Sequence, residues 1–264
     1  MTDAVPQSVV AALDDPFAQL TGSLAGTTKM HFEVASTTRL TPHMQRLELT
    51  AAELDGFSYA PGQDVMVLVA ADGRKPVRRR YTIRLLDPAA QLLTIDVVLH
   101  GEGPGERWVR SARPGDRIDG IGPRGKIFPN PAADWHLFMG DEAALPAILA
   151  MTESLPGDAD ATLVVEIPEP ADEQEVLAAA RTRVSWLHRI GGDAGDPAAL
   201  AAEAADVELP PGNGHAYLLG EAKVVLAMRE VLARRGLPPE QVSPKAYWGR
   251  GRANAGHGEP AKDA

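Results

Sequence analysis

Cysteine is absent from all 264 residues. Disulfides, thiolate metal sites, cysteine-held iron–sulfur clusters and cysteine nucleophiles are excluded together. No run of about 18 apolar residues occurs, so no membrane-spanning helix is expected. Met1–Leu20 has no basic stretch and no unbroken apolar run before a cleavage site. No secretory signal is read there, which makes the cytoplasm the default compartment. The seven histidines show no metal-ligand spacing. The carboxylates are scattered, without a glycosidase-like pair. Gly-x-Ser-x-Gly does not occur, and Phe138–Glu142, a strand leading into a turn and helix, lacks a Gly-x-Gly-x-x-Gly fingerprint. Basic residues are outnumbered, with a net charge of -10, which argues against a nucleic-acid binder.

Apolar residues make up 44% of the chain, enough to build cores. From Met30 the pattern has period two: Met30, Phe32 and Val34, then Leu47 and Leu49, then Val65, Val67 and Val69. Tyr81–Leu85, the odd positions Leu93–Leu99 and Ile118–Ile121 complete the series. Pro61-Gly62, Asp72-Gly73, Pro114-Gly115 and Gly122-Pro123 punctuate it. About six short strands with regular turns predict an antiparallel β-barrel or sandwich.

Beyond Asn130 strands and helices alternate. Strands are predicted at Trp135–Met139, Thr162–Ile167, Val184–Leu187 and Ala216–Leu219. Helices are predicted at Glu142–Glu153, at Asp172–Arg181, from Asp196-Pro197 onward and at Ala222–Arg235. Such alternation implies an α/β unit with a parallel sheet and helices on both faces. The expected organisation is an extension over 1–28, a β-barrel over 29–130, an α/β domain over 131–251 and a loose tail over 252–264, with a short helix near Pro16–Leu20.

Against the acidic background, basic residues crowd six of the eleven positions from Arg74 to Arg84. That local reversal suits a small anionic ligand, or simply a solvated charged strand. Within it, Arg79-Arg80-Tyr81-Thr82 opens a strand. A guanidinium offers a fork for phosphate, a tyrosine ring packs on a flat heterocycle, and a threonine hydroxyl can bond a ring nitrogen. About twenty residues on, Leu99-His100-Gly101-Glu102-Gly103-Pro104-Gly105-Glu106-Arg107-Trp108 ends a strand in a Gly/Pro turn and starts a helix. Glycines admit close backbone approach, and a helix N-terminus offers unpaired N–H groups to a diphosphate. Asp141 reads as a helix cap or as part of a ligand-facing turn at a strand end, and Gly220-Glu221 occupies the same kind of position.

Taken jointly and in order, the motifs resemble the siderophore-interacting protein family, within the ferredoxin–NADP⁺ reductase superfamily. The segments that carry the resemblance are Arg79–Arg84, Asp96–Trp108, Pro114–Asp116, Gly122–Gly125, Gly140–Ala147, Trp186–Arg189, Leu219–Glu221 and Tyr247–Gly251. The likeness runs from about Lys29 to Gly251.

The resemblance implies an FAD-binding β-barrel followed by a domain for NADPH or NADH. It implies that Arg79 faces the FAD pyrophosphate, Tyr81 the flavin ring and ribityl chain, and Thr82 the N5 region. His100, Gly101, Gly103 and Pro104 would shape the phosphate or adenine side, with Asp96 and Trp108 as further cofactor-binding candidates. Asp141, Glu142, Ala143, Gly220 and Glu221 would face the nicotinamide cofactor. Trp248, with Tyr247 beside it, either covers the flavin or packs in the core. Glu166 either contacts the adenosine ribose or caps a neighbouring helix. Gly105 replaces the family's usual alanine, a change expected to be harmless. Ala143 replaces its usual threonine, which removes a hydroxyl near the nicotinamide.

The implied activity is reduction of a ferric siderophore: hydride from the nicotinamide, single electrons to iron(III). No protein acid, base or metal ligand is needed for it. Anionic ferric siderophores would be steered by Lys75, Arg78 and Arg250, with Arg74 beside them. The alternatives within the same resemblance are a general flavin or quinone reductase and a siderophore-binding protein. A monomer is expected. NADH and NADPH are not separated: His188, Arg189 or Arg183 could receive a 2′-phosphate, while the acids around Glu166–Asp172 would oppose it.

Overall fold

The computed structural model describes residues 26–71 and 74–251. Within β4 the side chains of Arg74 and Lys75 also fall outside the description. The expected helix near Pro16–Leu20 and the tail from residue 252 lie outside the described residues.

The period-two segments become β1 (Thr28–Thr41), β2 (Met44–Thr50), β3 (Asp64–Ala71), β4 (Arg74–Thr82), β5 (Leu85–Asp87), β6 (Leu92–Val98) and β7 (Arg117–Arg124). They form one antiparallel sheet in the order β4-β3-β7-β1-β2-β6-β5. Its curl is closed by two consecutive residues. Ile83 donates its N–H to Gln63 at 2.9 Å beside β3, and Arg84 donates to Thr94 of β6 at 2.8 Å. The chain thus passes from one end of the strand order to the other within one residue. Alternation puts Met30, Phe32, Leu47, Leu49, Val65, Val67, Leu93 and Ile95 inside, all fully buried. Each such side chain contributes about 1.5–3 kcal/mol. Helix α1 (Pro104–Ser111) starts with proline in its first turn and lays Val109 on this core.

The second sheet is parallel: β8 (Trp135–Asp141), β9 (Asp160–Ile167), β10 (Arg181–His188), β11 (Gly214–Glu221) and β12 (Val242–Trp248), in the order β10-β9-β8-β11-β12. Helices cover both faces. Phe138, Leu163, Val165, Tyr217 and Leu219 pack with α2 (Leu145–Glu153) on one side. Leu137, Met139, Val164, Ala216 and Leu218 pack with α3 (Ala198–Asp206) and α4 (Ala222–Arg234) on the other. Both β8 and β11 are buried along their whole length, as a central parallel strand requires.

One predicted helix does not form. Residues 172–181 hold only the end of a 3-10 turn (Pro170–Asp172), an irregular segment and the first residue of β10. The carboxylate of Asp172 is committed elsewhere. It accepts from the Thr41 hydroxyl at 2.7 Å, from the His43 N–H at 3.0 Å and pairs with His43 Nδ1 at 2.8 Å. A tertiary clasp to the β1–β2 turn therefore overrides the local helical pattern. The helix expected from Glu142 begins three residues later, at Leu145. At Asp196-Pro197 the proline takes the cap position, while Asp196 Oδ1 accepts from the Ala198 N–H at 2.9 Å.

The two sheets meet across polar contacts as well as apolar ones. Arg84 reaches Glu153 of α2 through both terminal nitrogens, at 2.6 and 2.7 Å. Lys245 of β12 lies 3.4 Å from Asp64, which also takes a two-point bond from Arg80 at 2.8 and 2.5 Å. The β1–β2 turn sends Met44 into the core around α2.

Candidate functional site

A cleft of about 280 Å³ opens where the barrel meets the carboxyl edge of the parallel sheet. One wall is β4, which contributes Arg79, Arg80, Tyr81 and Thr82. Strand alternation predicts Arg79 and Tyr81 on one face and Arg80 and Thr82 on the other. All four nevertheless line the cleft, because β4 is an end strand and the cleft wraps its free edge. The Tyr81 ring packs on Trp108 of α1, with centroids 6.3 Å apart and planes 27° from parallel. Burial raises the pKa of its hydroxyl, Arg79 pulls it back and Glu106 adds to the rise. The group therefore stays a protonated donor.

The floor is the segment after β6. His100, Gly101 and Gly103 line the cleft, followed by Gly105 and Glu106 of the first helical turn. Glu106 was not singled out in the sequence, yet it organises this turn. Its carboxylate accepts from the Gly101 N–H and from Arg110 Nε and Nη2 at 3.0 and 2.5 Å. An acidic residue in the first turn of a helix is the only signal that could have pointed to it. Gly105 is less neutral than expected. A Cβ there would meet the Tyr81 hydroxyl at 2.8 Å and Arg79 Cγ at 3.0 Å, so the missing methyl lets both side chains close on the helix start.

The far wall comes from the parallel sheet: Ala143 and Pro146 at the start of α2, and Tyr247 and Trp248 at the end of β12. Trp248 is held at both ends. Its Nε1 donates to Asp141 Oδ2 at 2.8 Å, and its ring stacks on His100 at 6.2 Å and 28°. The barrel and the sheet therefore touch across the mouth of the cleft.

The remaining sequence candidates are placed differently. Asp96 reaches the cleft, but Arg46 holds its carboxylate at 2.7 and 2.8 Å and Arg84 lies 3.7 Å away. Pro104 and Trp108 support the helix start from outside the lining. Asp141, Glu142, Gly220 and Glu221 stand behind the wall. Asp141 accepts from the N–H groups of Ala143 (3.0 Å) and Glu221 (2.8 Å) as well as from Trp248. Burial, then the adjacent Glu142, pushes its carboxyl up to about 7. Glu221 caps α4 through the N–H groups of Lys223 and Val224, at 2.5 and 3.1 Å, and accepts from the Arg250 N–H at 3.0 Å. Gly220 has φ +131°, and a Cβ there would lie 2.6 Å from Asp141 Oδ2. Only glycine fits.

Glu142 and Glu166 share one partner. Arg189 Nη2 donates to Glu142 at 2.7 Å, and Nη1 to Glu142 at 3.0 Å and Glu166 at 2.8 Å. Of the steering candidates, Arg78 is exposed on β4 beside the cleft. Arg250 is paired with Asp193 at 2.8 Å, and the Lys75 side chain lies outside the described residues.

Comparison with known proteins adds two matches along the chain. The profile of the siderophore-interacting FAD-binding domain fits residues 67–127, and that of siderophore-interacting proteins fits residues 133–251. A siderophore utilization protein from T. fusca has a crystal structure that superposes with a TM-score of 0.78 at 33% identity, over 88% of this chain and 96% of that one. The ferric vibriobactin reductase of Vibrio cholerae is 33% identical over 67% of this chain and 66% of its own length. The NADPH-dependent ferric-chelate reductase of Escherichia coli is 26% identical over 80% of this chain and 89% of its own. Among the described residues no helix is long and apolar enough to cross a membrane.

The donor set fits the FAD that the first profile names. The cleft joins one aromatic face at Tyr81, one hydroxyl at Thr82, a guanidinium at Arg79 and the amide-rich start of α1. A dinucleotide with a flat ring at one end and a diphosphate behind it needs donors of these kinds in this order.

Proposed function

The chain belongs to the siderophore-interacting protein family, and from that premise we propose that it is an FAD-dependent ferric-siderophore reductase that draws on NAD(P)H and frees iron(II) in the cytoplasm. The observation that carries the reading is the convergence at one cleft of Arg79–Thr82, the His100–Glu106 turn and Trp248, at the carboxyl edge of a parallel sheet. Open α/β sheets take their ligands at that edge. Residues 29–130 are taken as the flavin module and 131–251 as the nicotinamide module.

FAD bound there supplies the conversion of a two-electron hydride into single-electron steps suited to iron(III). The chain's residues bind and position. Arg79 and the N–H groups opening α1 hold the diphosphate, and Tyr81, backed by Trp108, offers its ring to the flavin. Trp248 is fixed by Asp141 and His100 at the point where a nicotinamide approaches from the sheet. Ala143 at the wall leaves room there without offering a hydroxyl. Nothing in the cleft is required to move a proton. The ferric siderophore, an anionic chelate, docks at the basic edge of β4, with Lys75, Arg78 and Arg250 as its steering residues.

The test is the spectrum of the purified protein. A yellow protein, or one that turns yellow with one equivalent of added FAD, should bleach anaerobically with NADH or NADPH. A ferric siderophore should then restore the oxidised spectrum and release iron(II) to a ferrous trap. A colourless protein that ignores FAD would end this reading. Bleaching without reoxidation by any ferric chelate would leave a flavin reductase with another acceptor.

A further inference from the structure

The parallel sheet changes direction between β8 and β11, since β9 and β10 extend it one way and β12 the other. That switch point adjoins Ala143 and Trp248 of the cleft wall. In wound dinucleotide folds the ribose next to adenine is read at the carboxyl end of the second strand of the unit. An acidic residue there takes a 2′-hydroxyl, and a free arginine takes a 2′-phosphate. Here the second strand is β9, and its end is Glu166-Ile167, with His188-Arg189 at the end of the neighbouring β10.

Among the described residues, every cation at this rim is already matched. Arg189 is 12% exposed and both of its terminal nitrogens are bound, by Glu142 and Glu166, whose side chains are 8% and 4% exposed. His188 Nε2 is paired with Glu173 at 2.8 Å. Arg250 is paired with Asp193. Arg183 sits five residues back along β10, about 17 Å from the strand end at the usual rise. A 2′-phosphate would have to draw Arg189 away from two buried carboxylates and leave them unpaired, which is strongly unfavourable. It would also approach Glu173, which pairs with His188, and Asp196, whose charge reaches Glu166. A ribose hydroxyl, by contrast, needs no cation and leaves the Glu142–Arg189–Glu166 pairing intact.

Resting on the hydride-accepting function proposed above, we infer that this chain selects NADH over NADPH, with the Glu142–Arg189–Glu166 cluster as the selecting element. The E. coli relative is NADPH-dependent by name, but at 26% identity its choice is not carried over.

The experiment compares NADH and NADPH as reductants of the FAD-loaded protein, by kcat and KM separately. NADH should be favoured at least tenfold in kcat/KM, with the difference in KM. Adenosine 2′,5′-bisphosphate should compete more weakly than ADP by a similar factor. Glu166→Gln loosens the hold on Arg189 and should narrow the ratio by lowering KM for NADPH, while Glu166→Asp should restore it. Because Glu166 is buried, Glu173→Gln serves as the second variant. It frees His188 and should narrow the ratio by a smaller factor at unchanged flavin content. Equal or better use of NADPH by the unmodified protein would overturn the inference alone. A ratio unmoved in both glutamine variants would overturn the assignment to this rim. Failure of both nucleotides to bleach the flavin would remove the functional reading beneath it.

Discussion

The two walls of the cleft are built from the same local device, a strand that turns into a helix with a glycine at or just before the turn, but they use it in opposite ways. On the barrel side, β6 runs through His100–Gly103 into α1, and the turn itself lines the cleft. On the sheet side, β8 runs through Asp141–Ala144 into α2, and β11 through Glu221 into α4. There the carboxylates point inward and satisfy backbone N–H groups, Trp248 and Arg189. The barrel wall offers donors to a ligand, while the sheet wall bonds to itself and presents an aromatic ring. What separates the two is placement: the barrel turn lines the cleft although its Gly101 N–H is bonded to Glu106, while the sheet-side carboxylates stand behind the wall.

The largest expected effect tests the seam that keeps the two walls in register. Arg84 is 6% exposed and lies between Glu153 and Asp96, whose side chains are 13% and 1% exposed. Arg84→Ala takes the two-point partner from Glu153, while Asp96 keeps Arg46, and should cost about 3 kcal/mol in denaturant unfolding. A loss under about 1 kcal/mol would mean that the seam does not depend on this pair. Next, Arg79→Ala removes a charged hydrogen-bonding partner from the donor wall. It should weaken FAD by about 1.5–3 kcal/mol, read by flavin fluorescence titration, with the melting temperature little changed. Unaltered FAD affinity would take Arg79 out of the proposed site.

Two glycines sharpen the contrast. Gly220→Ala forces a strained φ and a contact with Asp141 backed by the N–H groups of Ala143 and Glu221, and should destabilise by about 1–3 kcal/mol. Gly105→Ala meets only side-chain atoms of Tyr81 and Arg79 that can move. It should leave stability nearly unchanged and alter FAD affinity instead. If both act on stability alone, the two walls are equivalent after all.

The last test concerns pH. The folded-state pKa of Asp141 is raised to about 7 from the ordinary carboxylate value. The folded state therefore holds a proton that the unfolded chain has lost. The contribution of this group is fully present at pH below about 4 and declines as pH rises to about 7. Asp141→Asn keeps an acceptor for Trp248 and Glu221 but removes the titration. The fall in melting temperature between pH 4 and 7 should be shallower in the variant by the share this group supplies. Parallel curves would show that Asp141 stays ionised throughout.

Much of the fold was legible because burial imposes a period on the chain. Met30–Val34 and Leu93–Val97 alternate since one face of each strand meets the barrel core. The runs in β8 and β11 are unbroken since helices cover both of their faces. The predicted helix over 172–181 failed where that period was weak and a single carboxylate had a partner about 130 residues away. The barrel wall of the site was equally legible, since Arg79–Thr82 and His100–Gly103 are contiguous and carry their own chemistry. Arg80 and Glu106 were not, because edge position and a neighbouring arginine decide their roles.

By itself the sequence determined which segments alternate, where turns fall, and the order of a barrel followed by a wound sheet, for these follow from local sterics and from hydrophobic period. Only the tertiary structure decided which polar groups remain for a ligand. Asp141, Glu142, Glu166, Glu221 and Arg189 look alike in the chain as candidates, yet their partners lie from 2 to 107 residues away. A hydrogen bond is satisfied by whatever the fold brings within about 3 Å, whatever its distance along the sequence.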